Sequence, residues 1–327
     1  MSGKQAPVAA GPTLRVGFLG PATAGARALV HEAGAELVDD AMSADVVHVT
    51  VEPEDVLDAA DEVVGSGRSA VLHERPAPPD ADVVARLAAR AAGAGLVVAI
   101  PFVHRYYPMV RLARRRVRSG TPGPLHLLHG WTLRGGVAPW FDLVEFVTRH
   151  RVDRVVATGV APTASESGEG APGTPGAIGL LFETDRGSVG TLAVSHTRPI
   201  EGGTLLMALD GVEESVVFHE GRPEVLDVIG PRSSQRFQRG IGADVSRYST
   251  QPAGLPQGNR DCWAAFVGDA YAAVRGGAPD GLPTVADLAR SEALAAAIRD
   301  SEASGTWSRV GPEADLDLLT TTEGKTA

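Results

Sequence analysis

A change of rhythm near residue 102 constrains this 327-residue chain more than any other feature. Before it, short apolar runs at 14–19, 44–51, 69–72 and 96–100 alternate with amphipathic stretches at 21–34, 54–65 and 80–93. A short, fully apolar, β-branched run reads as a strand buried on both faces. Strands that alternate with helices need crossover connections, so the sheet they form is parallel. After residue 102, strand-like runs follow one another at 125–132, 153–158, 178–184, 188–196, 204–209, 214–219 and 223–229, with one helical stretch at 140–149. Turn signals such as Asp185-Arg186-Gly187 and Asp210-Gly211 join them into hairpins and an antiparallel sheet.

The expected fold is an α/β, Rossmann-like N-terminal domain over 14–102. An α+β C-terminal domain with a large, mostly antiparallel open sheet follows over 103–311. An arginine-rich helix at 107–118 opens the second domain, and helices at 259–275 and 285–304 close it. Residues 1–13 and 312–327 read as flexible tails, and the polar loops at 161–176 and 231–258 as mobile. The first domain reads as shortened. Only one small strand, at 36–38, fits between the first helix and 44–51, where a full dinucleotide-binding half has a strand, a helix and a strand.

Composition enters by exclusion. A net charge of −10 argues against nucleic acid or an anionic membrane as the main partner. A single cysteine allows no internal disulfide and fits a reducing, cytoplasmic setting. No apolar run approaches a membrane span, and the first residues lack the apolar core of a signal peptide.

Four motifs carry candidate chemistry. Gly20-Pro21-Ala22-Thr23-Ala24-Gly25 follows a strand and opens a helix, the position where backbone N–H groups and a helix N-terminus receive a diphosphate; the alternative is an ordinary turn. Gly20, Ala22 and Gly25 are its candidate cofactor contacts. Ala22 adds a methyl where the middle glycine would stand, and Asp39 is the candidate ribose ligand or a solvated turn residue. His73-Glu74-Arg75-Pro76 ends a parallel strand at the edge where open α/β sheets bind ligands. Arg75 there either anchors a carboxylate or oxyanion or makes a strand-end salt bridge. His104-Arg105-Tyr106-Tyr107-Pro108 marks the crossing between domains, a common place for a ligand cleft. His104 and Tyr107 are candidate proton carriers, or else seam packing. Asp142 is expected in the first turn of a helix, as a cap or a catalytic carboxylate. No metal-ligand spacing is present: His126 and His129 fall on opposite sides of one strand. Cys262 reads as core, and the run Arg111, Arg114, Arg115, Arg116, Arg118 as a solvated helix face.

The order of these segments resembles the Gfo/Idh/MocA oxidoreductase family. The likeness is carried by VGFLGPATAG, by ADVVHVTVEPEDVLDAADEVVGSGRSAVLHERPAPP, by HRYYPMVRLARRRVRSGTPGPL and by the two final helices. It covers about residues 14–310. The resemblance implies an N-terminal domain that binds NAD(P) and a C-terminal domain whose open sheet forms an oligomer interface. It also implies roles for Glu74 and Pro76 beside the cofactor. The family's Glu-Lys-Pro appears as Glu74-Arg75-Pro76. Its later catalytic His, three residues before an Asp, falls on Pro139 when that Asp is Asp142. Thiazolinyl imine reductases, which also lack that Lys and His, are similar at Glu-x-Pro, at Tyr107-Pro108, and around FDLVEF and RDCWAAF; that likeness nominates Tyr107 as a proton donor.

The expected function is therefore C=O or C=N reduction, or its reverse, on a small metabolite with NAD(P), in specialised metabolism. Two alternatives stay open. One is a cofactor-free lyase, cyclase or isomerase using Arg75, His104, Tyr107 and Asp142. The other is a non-catalytic partner of an active homologue. The expected assembly is a homo-oligomer through the C-terminal sheet, or a hetero-oligomer with a homologue.

Overall fold

The computed structural model describes residues 13–77, 80–133, 137–160, 176–195, 204–241, 248–252 and 254–311. Residues 1–12 and 312–327 of the expected tails, 161–175 of one expected loop, 242–247 and 253 of the other, and Arg134-Gly135-Gly136 lie outside the described residues. The chain divides into two compact units. Of the described residues, one comprises those up to Pro101 and Trp263–Ala286, and the other those of Phe102–Cys262 and those from Asp287 onward.

In the first unit, β1 (Arg15–Leu19), β2 (Glu36–Leu37), β3 (Val46–Val49), β4 (Ser69–Leu72) and β5 (Val98–Ala99) form a parallel sheet in the order β2-β1-β3-β4-β5. The connections run through α1 (Ala24–Glu32), α2 (Val56–Gly65) and α3 (Ala81–Ala94). Every residue of β3 and β4 is buried, as expected of strands covered on both faces. Val16, Val47, Val71 and Leu72 of the strands and Val63 and Leu87 of the helices are buried in its core. The chain leaves β1 for β2 on one side and returns to β3 on the other. The switch point of the sheet is therefore at the carboxyl ends of β1 and β3. Between β2 and β3 stands only a short turn, Ala41–Ser43, capped by the Asp40 side chain at Met42 N, 3.0 Å.

Contacts group Trp263–Ala286 with this unit, where the sequence boundaries put it with the second. Ile100 N donates to Pro283 O at 3.0 Å, and Ala99 bridges Thr284. Such a long-range pairing leaves no local sequence signal.

The second unit holds β6 (Leu125–Leu133), β7 (Val152–Val160), β8 (Ala177–Thr184), β9 (Val189–Ser195), β10 (Leu205–Gly211), β11 (Ser215–His219), β12 (Val225–Ile229), β13 (Ser234–Gln238) and β14 (Ser308–Arg309). Their order is β13-β12-β11-β10-β6-β9-β8-β7-β14, antiparallel except where β6 meets β9. Alternation is clean: Leu180, Phe182, Leu192 and Val194 are buried, while Leu181 and Val189 on the opposite face are exposed. On the buried face lie α4 (Pro108–Arg118) and α5 (Ala138–Thr148). Two more helices, α6 (Asn259–Val274) and α7 (Val285–Ser304), each run from one unit into the other along the chain. Trp140, Phe141 and Phe182 pack edge to face at 5.2–5.9 Å.

Two expectations are corrected. The loop at 231–258 contains β13, an edge strand too polar to read as one; it is held by pairing with β12 and by Arg236 Nε to Asp227 Oδ1, 2.7 Å. The arginine run is not wholly a solvated face. Arg111 and Arg114 are buried, with their guanidinium groups over the Phe146 ring at 4.8 and 3.8 Å. A guanidinium is flat and weakly hydrated, so an aromatic surface can take it out of water.

Candidate functional site

The first unit gathers its polar groups at the carboxyl edge of the parallel sheet. Gly20 follows β1 with φ +105°, and a Cβ there would lie 2.9 Å from the Thr50 carbonyl, so the turn needs glycine. Thr50 in turn donates from N to Leu19 O at 2.9 Å, which ties the ends of β1 and β3 together. Thr23 caps α1, its Oγ1 accepting from Ala26 N at 3.1 Å. A Cβ on Gly25 would meet nothing nearer than Thr23 Oγ1 at 3.9 Å, so the first turn of α1 presents an open backbone face. That turn carries no acidic residue. Such a face suits a phosphate or diphosphate, because first-turn N–H groups lack intrahelical partners and the helix dipole favours an anion. Ala22 is half-buried, and Asp39 is exposed at the end of β2. These residues fit the diphosphate and ribose of a dinucleotide. Two features reduce the donor set: Pro21 has no N–H, and Ala26 N–H is already satisfied.

The segment Glu74-Arg75-Pro76 passes over the end of β3. It is pinned on either side by His73 N to Val49 O and by Ala77 N to Pro53 O, both 3.0 Å. Glu74 is exposed, Arg75 half-buried and Pro76 buried.

Below it runs a chain of hydrogen-bonded rings that sequence reasoning missed. Tyr271 Oη lies 2.8 Å from His48 Nε2, and His48 Nδ1 lies 2.8 Å from His73 Nε2. His48 and Tyr271 are fully buried. His73 stacks on Trp263 at 5.1 Å, and Phe18 packs against both imidazoles. Burial pushes His73 down to about 4 and, with help from the neighbouring His73, holds His48 well below the ordinary imidazole value, so both rings are neutral near pH 7. The available signal was His48 itself, a polar residue inside the run ADVVHVTV.

In the second unit, two nominated residues converge on one carboxylate. His104 Nε2 and Tyr107 Oη each lie 3.3 Å from Glu220 Oε1, while Thr204 N and Oγ1 donate to Glu220 Oε2 at 2.8 and 2.5 Å. Burial alone would raise Glu220, but His104 and Thr204 outweigh it and bring it down to about 2. Burial, the nearby Cys262 thiol and Glu220 together push the Tyr107 phenol up, so it stays protonated. Glu220 was missed because a Glu in a hairpin turn reads as solvated.

Asp142 stands apart from this group. It lies beyond the first turn of α5, not within it, and caps nothing. Arg105 grips it with Nε at 2.9 Å and with Nη2, and the same Nη2 reaches Asp287. Nearby Glu145 accepts from Arg290 Nη2 at 2.7 Å and Arg151 Nη1 at 2.8 Å. Cys262 is buried, as expected. No group of three or more metal-ligating side chains occurs among the described residues, and no helix among them is long and apolar enough to cross a membrane.

No sequence-family model matches the chain, and no curated protein matches it by sequence. Solved structures do match in fold. An oxidoreductase from Sinorhizobium meliloti superposes with a TM-score of 0.80 at 18% identity, covering 91% of this chain and 99% of that one. A levoglucosan dehydrogenase in complex with NADH and levoglucosan gives 0.79 at 16% identity, covering 92% and 100%. An inositol dehydrogenase homolog from Azotobacter vinelandii, complexed with NADH and myo-inositol, gives 0.74 at 14% identity, covering 91% and 97%. The chain has the Gfo/Idh/MocA fold. The Gfo/Idh/MocA neighbours are covered over nearly their whole length, so they lend no support to the expected shortening of the first domain.

Proposed function

We propose that this protein is a cytoplasmic NAD(P)-dependent oxidoreductase that reduces a C=O or C=N group of a small metabolite, or runs the reverse reaction, in specialised metabolism. The observation that carries the reading is the strand, Gly20 turn and α1 N-terminus at the switch point, with the open face at Gly25. The NADH named for the levoglucosan and inositol enzymes supports it. Gly20, Ala22 and Gly25 would hold the diphosphate, Asp39 the ribose, and Glu74 to Pro76 would border the nicotinamide. When bound, that group supplies or accepts a hydride.

Arg75 serves as a fixed cation, since its guanidinium does not give up a proton. His104 is the better proton carrier of the two candidates. Its side chain is 21% exposed and paired with Glu220, whereas Tyr107 is 3% exposed and donates to the same carboxylate. Tyr107 then positions Glu220. The exposed apolar face of the second sheet, with Leu181, Val189 and Ile229, would form the contact between copies.

A cofactor-free reading rests on the donors missing at Pro21 and Ala26. Titration with NADH and NADPH, followed by nicotinamide fluorescence, decides between them. Micromolar binding, weakened ~10-fold or more by a Gly25→Asp carboxylate at the helix N-terminus, supports the redox reading. No response at millimolar cofactor overturns it.

A further inference from the structure

The three rings of Tyr271, His48 and His73 can share protons in two ways, and burial selects one. In the first, Tyr271 O–H donates to His48 Nε2, His48 Nδ1–H donates to His73 Nε2, and His73 keeps its proton on Nδ1. In the second, every bond reverses, and the Tyr271 O–H needs another acceptor. Tyr271 is fully buried, and His48 is its only hydrogen-bond partner among the described residues. A buried hydroxyl left without an acceptor costs about 1–3 kcal/mol, so the first arrangement prevails.

We infer that His73 presents a fixed, neutral Nδ1–H donor at the carboxyl edge of the parallel sheet, and that this donor binds a neutral carbonyl oxygen of the ligand. His48 and Tyr271 are positioning residues: they set which nitrogen of His73 carries the proton. The tautomer assignment is independent of the redox reading; the ligand it names deepens that reading. Three observations favour a carbonyl over an anion. Burial favours the uncharged form of the ring. Its flat face is covered by Trp263, and Phe18 lies beside it, so an anion would lose hydration against apolar surface. Nδ1 has no hydrogen-bond partner among the described residues, so the donor at the end of the chain is unspent. A neutral imidazole N–H polarises a carbonyl without surrendering its proton, and a chain of donors behind it strengthens the effect. The carbonyl belongs either to the nicotinamide carboxamide or to the metabolite.

The test is long-range proton–nitrogen NMR of the imidazoles in the full-length protein, assigned with a His73→Asn variant. The expected spectrum at pH 7 shows His48 and His73 both protonated at Nδ1 and bare at Nε2. Tyr271→Phe should convert this into a mixture of tautomers. A proton on His73 Nε2 in the parent protein overturns the inference. NADH is then added, and afterwards cyclohexanone. A shift of His73 Nδ1 with NADH assigns the donor to the carboxamide, and a shift only with the ketone assigns it to the metabolite. No shift with either shows a merely hydrated nitrogen and overturns the binding role. Nicotinamide fluorescence is recorded in parallel, so a failure of NADH to bind sinks the redox reading while the spectrum and the ketone arm still judge His73. In whichever arm responds, His73→Leu should weaken the probe ~10-fold, while His73→Asn, whose amide restores a donor, should recover most of it.

Discussion

Each unit buries a polar network, and the two are built on opposite principles. The first unit joins neutral groups, Tyr271, His48 and His73, by hydrogen bonds 2.8 Å long. The second buries charges: Arg105 between Asp142 and Asp287, and Glu145 between Arg290 and Arg151. Neutral rings lose little on leaving water but gain direction, because each donor must find one acceptor. Buried ions lose much hydration and persist only when every charge is paired. The neutral chain therefore specifies a proton position, which suits ligand recognition, and the charged network specifies packing of α5 and α7 in the second unit.

The sharpest way to break this contrast is to remove one charge. Arg105→Leu takes the cation away from the buried Asp142, and should lower the unfolding free energy by about 3–5 kcal/mol in urea denaturation. A loss below about 1 kcal/mol would mean that the carboxylates are hydrated and that the network is not a buried one.

Acid acts next, and it separates the ring chain from Glu220 by pH. Burial raises Asp142 to about 6, so the folded state takes up this proton first and opposes the histidines between about pH 6 and 3.8. Burial holds His48 and His73 below their unfolded value of 6.5, so the unfolded chain takes up protons first as pH falls. The stability this confers is complete above about pH 6.5 and drains away as pH falls towards 4, by roughly 2–3 kcal/mol. The groups facing the pair are Tyr271, Trp263 and Phe18, with Arg27 beyond Phe18, and none is acidic. Glu220 behaves as a depressed carboxylate. Its contribution is present above 4.5 and is lost only as pH falls towards 2. Stability measured against pH should therefore show two acid steps. His73→Phe should flatten the upper step and Glu220→Gln the lower one. A single step near pH 4 in the parent would refute the neutral assignment of the histidines.

Tyr271→Phe tests the neutral chain from its inner end. It removes one hydroxyl and leaves His48 Nε2 without a donor, for an expected loss of about 1–2 kcal/mol in the same urea assay. An unchanged stability would show that His48 does not depend on the phenol.

Periodicity revealed the fold because strand and helix rhythms are local. The parallel sheet, the antiparallel sheet and the helices α1 to α7 of the described residues lay within a few residues of the expected spans. What stayed hidden needed long-range closure. Tyr271 is 223 positions from His48, and Glu220 is 113 from Tyr107. No pattern short of the folded chain says that these meet. The polar edge strand β13 stayed hidden for a second reason: its stability comes from ladder bonds and cross-strand ion pairs, not from apolar residues. Of the nominated residues, Gly20, Arg75, His104 and Tyr107 were visible because unusual residue types stood at strand ends or a helix entry. Asp142 was also visible, but its pairing with Arg105, 37 positions away, was not.

The smallest expected effect isolates burial as the variable. Arg154 and Glu183 pair across β7 and β8 in the same geometry as the buried ions, Nε to Oε2 at 2.9 Å and Nη2 to Oε1 at 2.8 Å. Their side chains, however, are 40% and 37% exposed, and Arg154 also lies over the Trp307 ring at 4.9 Å. Water and salt screen such a pair, so Arg154→Ala should lower stability by less than about 1 kcal/mol in urea denaturation, and less still in high salt. The Arg105→Leu loss should be nearly independent of salt, because ions do not reach Asp142. Equal salt sensitivity of the two variants would collapse the distinction between buried and surface charge in the second unit, leaving its network no more specific than any exposed pair.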